Sequence, residues 1–145
     1  MLDAVVPRFA AALDVPNGGV LWALPALLAC GLLRHADKYF RLPAGFYGLK
    51  TIFLLLAFMA LARRKSIAAL SYCAPGEWGK LLGLDRAPQV RTLRAKVKII
   101  ADQEQAFPWS AELSKEWMGE VPQQAAVRYV DGHVRVYYGS TKQLP

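Results

Sequence analysis

The sequence predicts a mainly α-helical fold that ends in one β-hairpin. Most of its 145 residues form apolar segments with helical spacing, separated by Pro and Gly breakers. Residues 127–139 alone have a β signature, with β-branched and aromatic residues on both sides of one Asp-Gly pair. Residues 63–98 hold nine basic and two acidic side chains, which is the whole net charge of +7. Such a block indicates an anionic partner, either nucleic acid or an anionic membrane surface.

Residues 1–62 form the first predicted region, which is apolar and helical. Residues 20–33 are apolar on every face but shorter than the about 20 residues of a bilayer span. We therefore expect a buried core helix or a helix pair, kinked at Pro25. Residues 45–62 are the stronger membrane candidate, because Arg63-Arg64-Lys65 follows them as at the cytoplasmic end of a span. Lys50 shortens the uncharged stretch, which favours a buried helix over a membrane span. The alternative is a membrane protein in which residues 20–33 and 45–62 form a helical hairpin.

Residues 63–106 form the second region, which is basic and resembles a helix-turn-helix. Short helices are predicted at 67–72, capped by Ser66, and at 77–84, and a third helix at about 88–105. The third helix has an apolar stripe at three- and four-residue spacing and is basic on its outer face. Such a face can enter a DNA groove, although a solvated amphipathic helix has the same pattern. The predicted DNA-contacting residues are Arg86, Arg91, Thr92, Arg94, Lys96 and Lys98.

Two smaller regions complete the predicted organisation. In residues 107–124, Phe107-Pro108-Trp109 is expected to end the third helix, and Ser110 to cap a short helix at 111–118 before a linker. Residues 125–145 are expected to form the β-hairpin. Asp131-Gly132 suits a type I′ turn, because both central residues of that turn need a positive φ.

Four segments, in this order, carry a resemblance to bacterial insertion-sequence transposases of the DDE type. Together they place the likeness over most of residues 18–145. They are Gly45-Phe46-Tyr47-Gly48-Leu49, Pro75-Gly76-Glu77 with residues 79–86, Val90-Arg91-Thr92-Leu93-Arg94, and residues 129–137.

The resemblance implies a function in DNA transposition. In that family an RNase H-like domain holds three acidic residues and two Mg²⁺ ions that act on a DNA phosphodiester. By resemblance Asp131 is the first acid, and hence also a metal ligand, and the hairpin begins an incomplete RNase H-like α/β domain. The other two acids have no counterpart, so we expect a truncated transposase, inactive alone and with no cofactor bound. Its expected partners are DNA and either an intact transposase or a second copy.

Two further expectations concern the compartment and a rival activity. Cys30 and Cys73 lie apart in apolar contexts and no secretory signal is seen, which favours free thiols and a cytoplasmic location. A free-standing metal-dependent nuclease would use Asp131, Asp102 and Glu104. Asp102 and Glu104 lie two positions apart on a predicted helix and so do not share a face, which makes this the weakest hypothesis.

Overall fold

The computed structural model describes residues 15–120, which fold as helices joined by short turns. Two of the helices are 3₁₀ helices, Gly18–Ala23 and Ile67–Tyr72. The α-helices are α1 (Leu24–Ala29), α2 (Ala36–Tyr39), α3 (Leu49–Leu61), α4 (Pro75–Leu81), α5 (Val90–Ala101) and α6 (Ala106–Glu120).

The centre of the fold is α3. Its buried residues recur at three- and four-residue spacing, so one side of the helix faces the core. Ile52, Leu55 and Phe58 are fully buried and pack in one cluster with Trp78 of α4 and Leu93 of α5. The prediction of a buried helix within residues 45–62 is therefore confirmed over Leu49–Leu61.

The prediction that residues 20–33 are a buried core element kinked at Pro25 is wrong. This segment forms the end of the first 3₁₀ helix, then α1, then turns, and neither helix contains a buried residue. Trp22 is 73% exposed and Leu28 is 45% exposed. Pro25 lies at the start of α1, where its missing N–H needs no partner, and so it begins a helix and does not kink one.

The membrane alternative places spans at residues 20–33 and 45–62. Across residues 15–120, no helix combines the length and the apolar character that crossing a bilayer requires.

The basic region has the predicted order of helices but a different geometry. Pro75-Gly76 opens α4 and is not a separate turn, and Ser66 makes no side-chain cap to the 3₁₀ helix that follows it. Residues 82–89 separate α4 from α5, a longer connection than the roughly three or four residues of a helix-turn-helix. The second 3₁₀ helix and α3 make the most extensive contacts with α5, and α4 makes fewer. The helix-turn-helix interpretation is therefore not confirmed.

The mainly α part of the predicted fold class fits the structure, and the added β part is corrected, because the described residues contain no strand. All the regular structure between residues 15 and 120 is helical. The helices bury their apolar sides against one another in a shared core. The predicted β-hairpin and the start of an RNase H-like domain, at 125–145, lie outside the described residues. Nor does Phe107-Pro108-Trp109 end a helix, since α6 begins at Ala106 and is a single helix through this segment.

Candidate nucleic-acid interface

Three basic residues form one face of α5. Arg91, Arg94 and Lys98 are all exposed. At 3.6 residues per turn they lie within an arc of about 60° and extend over about 10 Å of the helix. We call these three residues the basic face. The predicted apolar stripe lies on the neighbouring side of α5, about 110° around the helix, so the helix is amphipathic as the sequence indicates.

The apolar stripe fixes the position of α5. Leu93 is fully buried in the central cluster, and Val90, Val97 and Ile100 pack against that cluster as half-buried side chains. No side chain caps the first turn, and that turn contains no acidic residue. The basic face is therefore held in place by the core packing of α5, and the positive end of the helix dipole lies at Val90.

Lys98 is partly neutralised within its own helix. Its Nζ lies 2.7 and 2.9 Å from the two carboxylate oxygens of Asp102, one turn further along the helix. Both side chains are exposed, and a surface pair at this spacing contributes only a few tenths of a kcal/mol. Arg91 and Arg94 have no such partner among residues 15–120, so they are the free cations of the basic face.

The other predicted DNA-contacting residues lie apart from the basic face. Thr92 is half-buried and lines a cavity of about 350 Å³ with Arg86 and Tyr47. The Tyr47 hydroxyl donates to the Arg86 carbonyl oxygen over 3.3 Å, which joins the residues 82–89 connection to the segment before α3. Lys96 is half-buried, and the Lys96 Nζ lies near Gly45, at 3.9 Å from the position that a Cβ would take on that glycine. The structure thus separates the basic face from Thr92 and Lys96, which lie on another side of α5, and from Arg86, which precedes the helix.

A second cavity, of about 400 Å³, lies beside the first turn of α5. Trp78 of α4, Cys73 and Val90 line it, and Arg91 of the basic face also contributes to its wall. We call it the Trp78 cavity. Sequence reasoning missed it, because it exists only where the second 3₁₀ helix, α4 and α5 meet.

The acidic residues of the described region do not form a metal site. Asp102 is paired with Lys98, and Glu104 lies in the turn after α5 with a positive φ of 55°. Within residues 15–120 no group of three or more His, Cys, Asp or Glu side chains can hold a metal ion. Asp131, the acid that the resemblance indicates, lies outside the described residues.

Sequence reasoning also missed an ionic cluster that joins α2 to α6. Arg34 Nη1 donates to Glu116 over 3.0 Å, and His35 Nε2 lies 2.6 Å from the other oxygen of that carboxylate. Lys38 Nζ donates to both oxygens of Glu112. The hydrogen bond from Arg34, assisted by the one with His35, lowers the pKa of Glu116, and the one from Lys38 lowers the pKa of Glu112. We call this cluster the α2–α6 clasp; its role is structural, because each charge is used within it.

A comparison with protein families identifies the chain. One family model, described as transposase protein, matches residues 1–145. No curated protein and no solved structure matches the chain. The match agrees with the transposase resemblance of the sequence, and it extends over the whole length given, including the helices described above. The chain therefore belongs to this transposase family.

Proposed function

We propose that this transposase-family chain binds DNA through the basic face of α5. The observation that carries the proposal is the pair of free guanidinium groups, Arg91 and Arg94, on a helix whose other side is anchored in the core. Guanidinium groups donate paired hydrogen bonds to phosphate oxygens and to guanine edges, and the phosphate contacts provide most of the affinity. Family membership supports DNA as the partner.

The geometry also ranks the residues within this proposal. Arg91 and Arg94 contribute most, because neither has a competing carboxylate in the described part of the chain. Lys98 contributes less, since a phosphate must displace Asp102 from its Nζ. Arg86 is exposed within the 82–89 connection, apart from the basic face, so its removal should lower DNA affinity less than removal of Arg91 or Arg94. Thr92 and Lys96 lie off the face, and we expect their removal to change DNA affinity little.

The chemistry of transposition is a separate part of the proposal. DDE-type strand transfer, with Asp131 as the first acid and Mg²⁺ as the metal, rests on the sequence resemblance alone. The described residues hold no metal site, so we assign DNA binding to them and derive no catalytic step.

The test is a titration of labelled duplex DNA at two salt concentrations. We expect binding by the native chain to weaken with salt, because each phosphate contact releases counterions. The double variant Arg91→Ala/Arg94→Ala should bind more weakly, and its slope of log K against log salt should fall by about 2.

The matched control is Lys50→Ala/Lys115→Ala, which removes the same charge from exposed positions on α3 and α6. It separates a local contact from a general effect of net charge. Equal affinity of the two double variants would overturn the assignment to α5, and salt-independent binding would overturn the phosphate contacts.

A further inference from the structure

The Trp78 cavity has the composition of a ligand site. Its volume of about 400 Å³ lies in the range of small-molecule pockets. Trp78, which is 1% exposed, and Val90 give it apolar walls, and Ser71, Gln89 and Arg91 add polar groups. Apolar walls with a few polar groups are typical of sites that take a flat, partly polar ligand.

Two of these polar side chains are available to a ligand. Gln89 is the residue before α5, and its side chain makes no capping hydrogen bond. Neither Gln89 nor Arg91 has a side-chain partner within residues 15–120. A free carboxamide can pair with the edge of a base, and a free guanidinium can hold a phosphate.

The positive charge around the cavity favours an anionic ligand. The cavity lies within the region that carries the whole +7 excess, and no acidic residue lines it. Arg91 belongs both to the cavity wall and to the basic face, so a DNA strand lying on that face passes the cavity. An apolar peptide would satisfy the walls but would leave the guanidinium and the surrounding positive charge unused.

We infer that the Trp78 cavity receives one unpaired nucleotide of the DNA that the basic face binds. The base occupies the apolar part beside Trp78, Gln89 contacts its edge, and Arg91 contacts its phosphate. Contact of a base with apolar side chains of a pocket stabilises such complexes without requiring one sequence. This inference rests on the proposed DNA binding and adds that the substrate has an unpaired base, as at a mismatch, a junction or a strand end.

The first measurement compares two labelled DNAs that differ at one position. One is fully paired, and the other has a single 2-aminopurine opposite an abasic site. We expect binding of the unpaired DNA to be tighter by about tenfold, the order of magnitude for the contact of one base with its pocket. Equal affinity, together with salt-dependent binding of both DNAs, would overturn the cavity inference and leave the proposed function intact. No binding to either DNA would overturn both.

The second measurement locates the preference in the cavity. Cys73 lines the cavity and is half-buried, whereas Cys30 is exposed and lies outside its lining. A bulky maleimide on Cys73, in a Cys30→Ser background, should remove the preference for unpaired DNA and preserve duplex binding. The same reagent on Cys30, in a Cys73→Ser background, should change neither affinity. The unpaired DNA should also slow the modification of Cys73 and not that of Cys30.

A variant blocks the cavity independently of thiol reactivity. Ser71 is exposed at the cavity, so Ser71→Trp places a large ring there without filling the core. Its circular dichroism should match that of the native chain, and its preference for unpaired DNA should be lost. A tenfold preference that survives both the Cys73 adduct and Ser71→Trp would overturn the inference, and would leave the cavity to another ligand such as an apolar peptide side chain.

Discussion

Adding a single methyl group at Gly79 is expected to destabilise the fold, because the backbone of the following connection passes directly beside this residue. A Cβ on this residue would lie 2.5 Å from both the Cα and the N of Arg86, and 2.7 Å from the Leu84 carbonyl oxygen. The chain folds back here at the end of α4, where the Leu84 N–H donates to the Gly79 carbonyl oxygen over 2.9 Å. All three close atoms belong to the backbone, so no rotamer change can relieve the contact.

The expected cost follows from two opposing effects. Ala is favoured over Gly in a helix by up to about 1 kcal/mol. Overpacking against rigid neighbours costs about 1–3 kcal/mol, and three backbone contacts place Gly79→Ala at the upper end. The net loss is therefore about 2 kcal/mol. For a chain of this size that corresponds to a fall in Tm of about 8 °C.

Thermal unfolding followed by circular dichroism measures this loss. The matched control is Gly76→Ala in the same helix, whose Cβ would meet the Asp85 carbonyl oxygen at an ordinary 3.6 Å. That variant should keep or slightly raise the Tm. If the two variants melted at the same temperature, the close approach of α4 to Arg86 would not be a constraint on the fold.

Three further predictions concern the core and the α2–α6 clasp. Arg34 lowers the pKa of Glu116 in the folded state, so the stability from this pair is present above about pH 4.3 and is lost as pH falls through the lowered pKa. Thermal melts from pH 7 to 3 should show this loss of Tm. Glu116→Gln should flatten the dependence of Tm on pH. Leu93→Ala should cost about 2–5 kcal/mol in denaturant unfolding, and a loss under 1 kcal/mol would contradict its full burial. Trp109→Phe should cost about 1 kcal/mol, because it keeps an aromatic ring and loses the Nε1–H bond to the Arg34 carbonyl oxygen; an unchanged melt would exclude that bond.

Sequence periodicity predicted α5, which carries the basic face, and α3, which forms the core that α5 packs against. In α5 the stripe from Val90 to Ile100 repeats at the helical period, and in α3 the buried residues do the same. A local repeat is sufficient for such helices, because each one buries a single side. The same repeat correctly predicts that Arg91 and Arg94 lie on the exposed side of α5.

Long-range contacts determined the parts that the sequence did not predict. Pro108 reads as a helix breaker, yet it lies in the first turn of α6, where a missing N–H costs nothing. Trp109 joins that helix to the carbonyl of Arg34, 75 positions earlier, and no local pattern reveals this partner. The Trp78 cavity likewise depends on how three separate elements meet. By contrast, the pairing of Lys98 with Asp102 follows an i,i+4 spacing that the sequence already contains.

The α2–α6 clasp also sets an order of assembly. Its partners are 74 to 82 positions apart, whereas α3, α4 and α5 are near neighbours in the chain. Closing a loop of that length costs on the order of 4 kcal/mol of chain entropy before any contact forms, so α6 is expected to dock late in folding. Until it does, the ring of Phe40 lacks its edge contact with Trp109, as does that of Phe53. We therefore expect a chain whose α6 has not yet docked to expose these aromatic rings, on which a second unfinished chain can aggregate.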